Sequence, residues 1–395
     1  MSIISKLKRG WLVFFLGVIS ATGPLSLDMY LPSLPKMQTY FHTSAANLQL
    51  SITFCLFGLA VGQLFIGPLS DQWGRKIPLI IGFSVYAITS ILLSVTNNIV
   101  WFILIRFIQG LAGSAGQVIS RAIARDLFNG KALTKFYAML MAVNGLFPII
   151  SPIIGGYVLN YFEWQMIFVI LAIIGCLITV ATIFGLSETR NAKKVSMKLI
   201  NTFKNQIALV KHPKFILMAL SQGFIFGALF SYISSSSFVF QNIFHMTVTQ
   251  FSILYAINGL GIILGNNFPS WVEERISDID IMKVGLTLVT FAGILLVSSQ
   301  LFEPMAIMVI MPLFMAVFGI GIVNTIATSL AMNAESKQNA GSASAVLGLL
   351  MNIFGAIAAP LSSLLGEYSY WPLATLILAF GVLGFITFRA YERVK

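Results

Sequence analysis

The chain has 395 residues, of which 57% are hydrophobic and only 9% charged, and its mean hydropathy is +0.90. Soluble proteins carry about 25% charged residues, so a soluble enzyme, a disordered regulator and a secreted disulfide scaffold are excluded. The net charge of +11 does not point to nucleic acid, because all but two of the 24 Lys and Arg residues lie in or beside alternate inter-span segments. Under the positive-inside rule those segments are cytoplasmic. The exceptions are Lys36, in an opposite-side loop, and Arg106, inside a span.

Apolar runs of about 20 residues, without strand-like alternation, predict membrane-spanning helices. Twelve are expected, near 11–33, 47–70, 77–96, 99–127, 135–160, 165–187, 214–240, 249–271, 282–301, 305–332, 341–364 and 370–390. They divide into a six-helix bundle over 1–187, a cytoplasmic central loop over 188–213 and a second six-helix bundle over 214–395. An even number of spans leaves both termini cytoplasmic; the rival reading makes Lys6, Lys8 and Arg9 the start of a cleaved signal peptide. In the central loop Leu199, Ile200, Phe203, Ile207 and Val210 recur at helical spacing between lysines. That suits either a basic amphipathic helix on the membrane surface or a solvated linker. Cys55 and Cys176 fall within spans, so neither a disulfide framework nor a metal site is expected.

The halves echo each other. Asn144 and Pro152 recur as Asn352 and Pro360, Gly58 and Gly62 as Gly261 and Gly265, Trp164 as Trp371, and Glu188 as Glu392, at offsets of 203 to 208. Parallel six-helix repeats are a transporter architecture, with the site between the repeats.

The first span ends Pro24-Leu-Ser-Leu-Asp28-Met-Tyr30-Leu-Pro32-Ser-Leu-Pro35. Asp28 is the one acid within an apolar span, about 6 Å inside Pro32. Desolvation raises the pKa of such a carboxyl and a nearby Arg lowers it, which suits a group that takes up and releases protons; the plainer reading is a helix-break cap. The loop after span two reads Gly67-Pro-Leu-Ser-Asp71-Gln-Trp-Gly74-Arg75-Lys76-Ile-Pro-Leu79. Glycines there let helix ends approach, and Asp71 and Arg75 can form a charged latch. The matching loop Glu273-Glu274-Arg275 is degenerate, so latching should be asymmetric.

Span four carries Arg106-Phe-Ile-Gln109-Gly110, with Gly110, Gly113 and Gln117 on the face of Arg106. An arginine in a span needs a polar cavity or partner unless it snorkels to the interface. Span five holds Asn144, Pro148, Pro152, Gly155 and Gly156, a bent and thinned helix suited to close packing. The substrate cavity is expected to draw on Tyr30, Phe54, Phe57, Gln109, Asn144, Tyr232, Asn258, Asn324 and Asn352, with the Ser234 to Ser237 run nearby.

These motifs resemble those of the major facilitator superfamily. The 67–79 loop is similar to its motif A, with Gln72 replacing a basic residue, and Arg106-x-x-Gln109-Gly110 to its motif B. Residues 144–156 resemble antiporter motif C, with Ser151 replacing a glycine, and Asp28 to Pro35 the signature of Bcr/CflA drug:H⁺ antiporters. The resemblance implies a major facilitator fold and a bacterial inner-membrane exporter of drugs or small amphiphilic compounds, working as a monomer. It implies Asp28 as the proton carrier, aided by Arg106, with the proton gradient in place of any cofactor and motif A (Gly67, Asp71, Gly74, Arg75, Lys76, with Asp126) as gate. Pro152, Gly155 and Gly156 imply export; a proton-coupled importer on the same fold is the alternative. No catalytic constellation points to an enzyme.

Overall fold

The computed structural model describes residues 6–128, 130–189, 209–303, 305–333, 340–362 and 369–394. Most of the central loop, including the residues of its expected amphipathic helix except Val210, lies outside them. The described residues are helical, without strands. Helices α1 (Lys6–Asp28), α3 (Ala45–Trp73), α4 (Lys76–Val95), α5 (Ile99–Leu127), α6 (Gly130–Tyr161) and α7 (Gln165–Gly185) are the six spans of the first half, and α2 (Leu34–Phe41) is a short helix after the first. The second half comprises α8 (Pro213–Phe238), α9 (Val248–Val272), α10 (Asp278–Ser298), α11 (Ile307–Asn333), α12 (Ala340–Leu361) and α13 (Trp371–Arg393). Ten of these are long and apolar enough throughout their described parts to cross a membrane; α6 and α12 supply shorter apolar stretches, Leu146–Tyr161 and Val346–Leu361.

The first span is shorter than its apolar run, which reaches residue 33. Helix α1 stops at Asp28 because Pro32 has no N–H to give to the Asp28 carbonyl. The chain then turns through a 3₁₀ segment, Leu31–Ser33, into α2. Side-chain caps set other boundaries: Ser44 accepts from the Asn47 N–H, Ser277 from Asp280, and Thr247 with Gln250 forms a reciprocal capping box. Helix α10 therefore begins four residues before the apolar run predicts.

Lipid tails are as apolar as leucine, so helices in a membrane associate through close packing. Glycines supply it. A Cβ on Gly110 of α5 would lie 2.1 Å from the Cys55 carbonyl oxygen on α3, and one on Gly58 would lie 2.1 Å from that of Phe107. Across the repeat, a Cβ on Gly265 of α9 would meet the Phe318 carbonyl oxygen of α11 at 2.1 Å, so the same helix pair crosses in the same way in each half. Gly116 seats α5 on α1, where a Cβ would stand 1.9 Å from the Ile19 carbonyl oxygen. The halves meet chiefly along two pairs, α3 with α12 and α6 with α9.

Gly116→Val should therefore lower the stability of the purified protein by about 1–3 kcal/mol, the range for overpacking a tight contact. Gly67→Ala, whose nearest neighbour is the Val118 side chain at 3.7 Å, should change it little. Thermal unfolding in detergent compares the two.

Candidate transport site and gate

At the end of the molecule that carries the 71–76 turn, here the basic end, Arg75 is the hub. Its Nε donates to Asp126 at 2.8 Å, and its Nη1 to Asp71 at 2.6 Å and to the Ser70 hydroxyl at 2.8 Å. Burial works against the Arg75 charge, but its hydrogen bonds and charge interactions with Asp126 and Asp71 outweigh it, and the pKa stands above the ordinary arginine value. Charge-assisted hydrogen bonds of this kind contribute about 1.5–3 kcal/mol each.

The latch has a further member. The Glu188 carboxylate, at the end of the sixth span, accepts the backbone N–H of Arg75 at 2.9 Å and of Lys76 at 3.1 Å. Those are orphan donors at the start of α4, where a negative charge is favoured by the helix dipole. Gly74 makes room: its φ is +86°, and a Cβ there would collide with the Glu188 carboxylate. Lys76 adds a hydrogen bond from Nζ to the Ile183 carbonyl. Glu188 stood out in the sequence only as a repeat partner of Glu392. The structure gives the two parallel places, since Glu392 pairs with Lys283 of α10 at 2.9 Å. The expected role of glycine holds for Gly74; Gly67 makes no tight approach.

Arg106 is completely buried, which removes the snorkelling alternative. Its Nη2 donates to the Ser26 carbonyl at 3.1 Å, its Nη1 to Gln109 Oε1 at 2.6 Å, and its guanidinium lies 4.4 Å from the Tyr30 ring centre. The Ser26 carbonyl is one of the last four of α1, which have no partner within the helix. Arg106 thus caps a broken helix, at the end where a cation is favoured. Gln109 also donates to Ser90 at 2.7 Å, and the Tyr30 hydroxyl meets that of Ser51 at 2.9 Å. Both side chains are fully buried inside the first half, where they support Arg106 and present no surface to a cavity.

Asp28 takes the opposite direction. No ion pair joins it to Arg106 among the described residues; instead Tyr255 of α9 donates to Asp28 Oδ1 at 3.2 Å, across the boundary between the halves. Tyr255 stacks on Tyr232 with ring centres 5.6 Å apart, and Asn258 donates to the Tyr232 hydroxyl at 2.8 Å. Motif C packs here too. A Cβ on Gly155 would fall 1.9 Å from the Met29 carbonyl oxygen, and one on Gly156 2.2 Å from the Ser252 hydroxyl. Pro152 is buried in the same helix. Further polar contacts join the halves at this far end: Gln49 to the Ser234 carbonyl at 2.9 Å, Thr53 to the Ala356 carbonyl at 2.8 Å and Gln241 to the Pro32 carbonyl at 3.0 Å.

The remaining expected cavity residues scatter. Asn324 accepts from Gln222 at 2.8 Å, Phe54 and Asn352 are half-buried, and Phe57 is 49% exposed beside Phe107. The Asn144 side chain lies outside what is described. Tyr255 escaped sequence reading because one tyrosine in an apolar span reads as packing; its spacing three residues before Asn258 was the available signal.

Two bundles of six spanning helices, a charged latch at one end and a buried carboxyl bridging the halves toward the other define a multi-pass membrane transporter, not an enzyme. Residues 13–360 match the Major Facilitator Superfamily model, and the chain belongs to that family. It is 37% identical over 385 residues to the MFS-type transporter YdgK of Bacillus subtilis (strain 168), covering 96% of this chain and 95% of that one. It is 30% identical over 387 residues to the bicyclomycin resistance protein homolog of Haemophilus influenzae, covering 96% and 94%. A solved bacterial homolog of the human lysosomal transporter Spinster, in an inward-facing and unoccupied conformation, shares the fold at a TM-score of 0.78 and 15% identity, over 98% of this chain and 97% of that one.

Glu188→Ala should lower stability by about 1 kcal/mol, as loss of a helix cap does, and Glu188→Gln by less. Thermal unfolding of the two variants in detergent measures the difference.

Proposed function

We propose that this transporter is a proton-coupled exporter of drugs or other small amphiphilic compounds, working as a monomer in the bacterial cytoplasmic membrane by alternating access. The basic end is then cytoplasmic, and the contacts around Asp28 close the outer side. The single observation that carries the reading is the Asp28–Tyr255 hydrogen bond between the halves. A carboxylate there sits at the negative end of the α1 dipole, within reach of a neutral donor and with Arg106 turned to Ser26.

Ionised Asp28 holds Tyr255 by a charge-assisted bond, which keeps the outer side shut while the carrier is empty. Substrate entering from the cytoplasm disturbs that bond and lets the outer side open. A proton from outside then neutralises Asp28, substrate leaves, and the protonated carrier turns inward and releases its proton to the cytoplasm. The motif A latch biases the opposite mouth. No cofactor enters the cycle; the proton gradient drives it. Resemblance to a drug-resistance relative and the motif C packing of α6 on both α1 and α9 support export over import.

Asp28→Asn should abolish proton-driven accumulation in inverted vesicles while insertion into the membrane is unchanged; accumulation at the wild-type rate refutes the assignment. Tyr255→Phe should preserve substrate exchange but reduce the number of protons moved per substrate, read by parallel pH-dye and substrate-uptake measurements.

A further inference from the structure

Two groups of uncharged amide side chains lie deep within the spans, one in each half. In the first half Gln63 of α3 donates to Gln117 Oε1 of α5 at 2.9 Å. In the second, Gln222 of α8 donates to Asn324 Oδ1 of α11 at 2.8 Å and to the Thr328 hydroxyl at 2.8 Å. The internal repeat relates Gln117 to Asn324, while the repeat position of Gln63 is Asn266, which meets Thr325 and not Gln222. Gln117 precedes Asn324 by 207 residues, and Gln63 precedes Asn266 by 203, the same offset that relates Gly58 and Gly62 to Gly261 and Gly265. Gln63, Gln117, Gln222 and Asn324 each lie nine or ten residues from the basic end of their helix, about 14–15 Å in.

Three of these four side chains are only partly buried. An amide turned to lipid has no partner for its remaining hydrogen-bonding atoms, so partial exposure at this depth points to the space between the halves. Gln63 reaches toward it: its Oε1 lies 3.1 Å from a Cβ built on Gly348, on α12 of the opposite half. Gln222 is 98% buried, and its Oε1 has no hydrogen-bond partner among the described residues, which leaves an acceptor that a ligand N–H or O–H can meet.

We propose that these paired carboxamides form the substrate site, that it takes uncharged compounds rich in amide and hydroxyl groups, and that it is separate from Asp28. A Cβ on Gly23 would contact Gln117 Nε2 at 3.2 Å, which places the Gln117 amide about 7–8 Å from Asp28 along α1. The inference rests on the reading of the chain as an exporter for its direction, but not for the site. Substrate and proton then compete through the movement of the halves, without sharing one group.

The test is equilibrium binding to the purified full-length protein without a proton gradient, using chloramphenicol as an uncharged amide diol and tetraphenylphosphonium as a cation without hydrogen-bonding groups. Gln117→Leu and Asn324→Leu should each weaken chloramphenicol binding about tenfold, whereas Gln117→Asn and Asn324→Gln, which keep the carboxamide, should stay within about threefold of wild type, the first loss matching about 1.4 kcal/mol for a hydrogen-bonding group. Wild-type binding in the Leu variants, or a wild-type protein that takes the phosphonium and not chloramphenicol, overturns the proposal; so does a wild-type protein that binds neither. Wild-type export that does not depend on the proton gradient, alongside the expected binding losses in the Leu variants, would sink the proton assignment and leave the carboxamide site standing.

Discussion

The unfinished end of α1 is the constraint on which the rest of the site depends. In a membrane, backbone carbonyls that a helix leaves unpaired have no water to turn to. Pro32 removes one donor, the helix stops at Asp28, and the free Ser26 carbonyl is met by Arg106 from α5. A full positive charge can be buried there because a helix C-terminus, an amide oxygen and a tyrosine face surround it. With Arg106 directed to the backbone, the Asp28 side chain is left to face the other half and Tyr255. The same break that demands the arginine presents the acid.

Around that break the glycines act as spacers between helices. Gly155 admits the Met29 carbonyl beside Asp28, and Gly156 admits Ser252 one turn from Tyr255. Helix α6 is thereby wedged between α1 and α9 at the point where the halves touch. At the basic end the restraint is electrostatic. Arg75 gathers two acids from α3 and α5, and Glu188 ties the start of α4 to the end of the sixth span. The second half has a counterpart in the run Asp280–Lys283–Glu392–Arg389, whose central Lys283 is more exposed to solvent than Arg75. Exposed pairs of this kind contribute little, so one buried hub in the first half stands against a more open chain of ion pairs in the second.

Much of this was legible in the chain. Apolar runs marked the spans because the bilayer imposes one length on them, and the charged residues, being so few, marked the gate and the buried arginine. The Asp71–Arg75 pair follows from a short loop between adjacent helices, where spacing nearly settles geometry, whereas Asp126, 51 residues on, was implied by the resemblance to motif A. Reading failed where side chains from distant spans converge. Gln109 and Tyr30 looked like cavity residues, since a polar or aromatic group in a span is ambiguous; packing turned both toward Arg106.

The amino-acid order alone determines a polytopic helical chain, its twofold repeat and its family motifs, because hydrophobic length and local spacing are properties of one strand of sequence. Which groups meet across the repeat was left to tertiary packing. Asp28 with Tyr255 is a contact over 227 residues, and Glu188 with the Arg75 backbone one over 113. No local pattern encodes such pairs; they arise when glycine-spaced helices bring two remote faces together and each buried polar atom must find a partner.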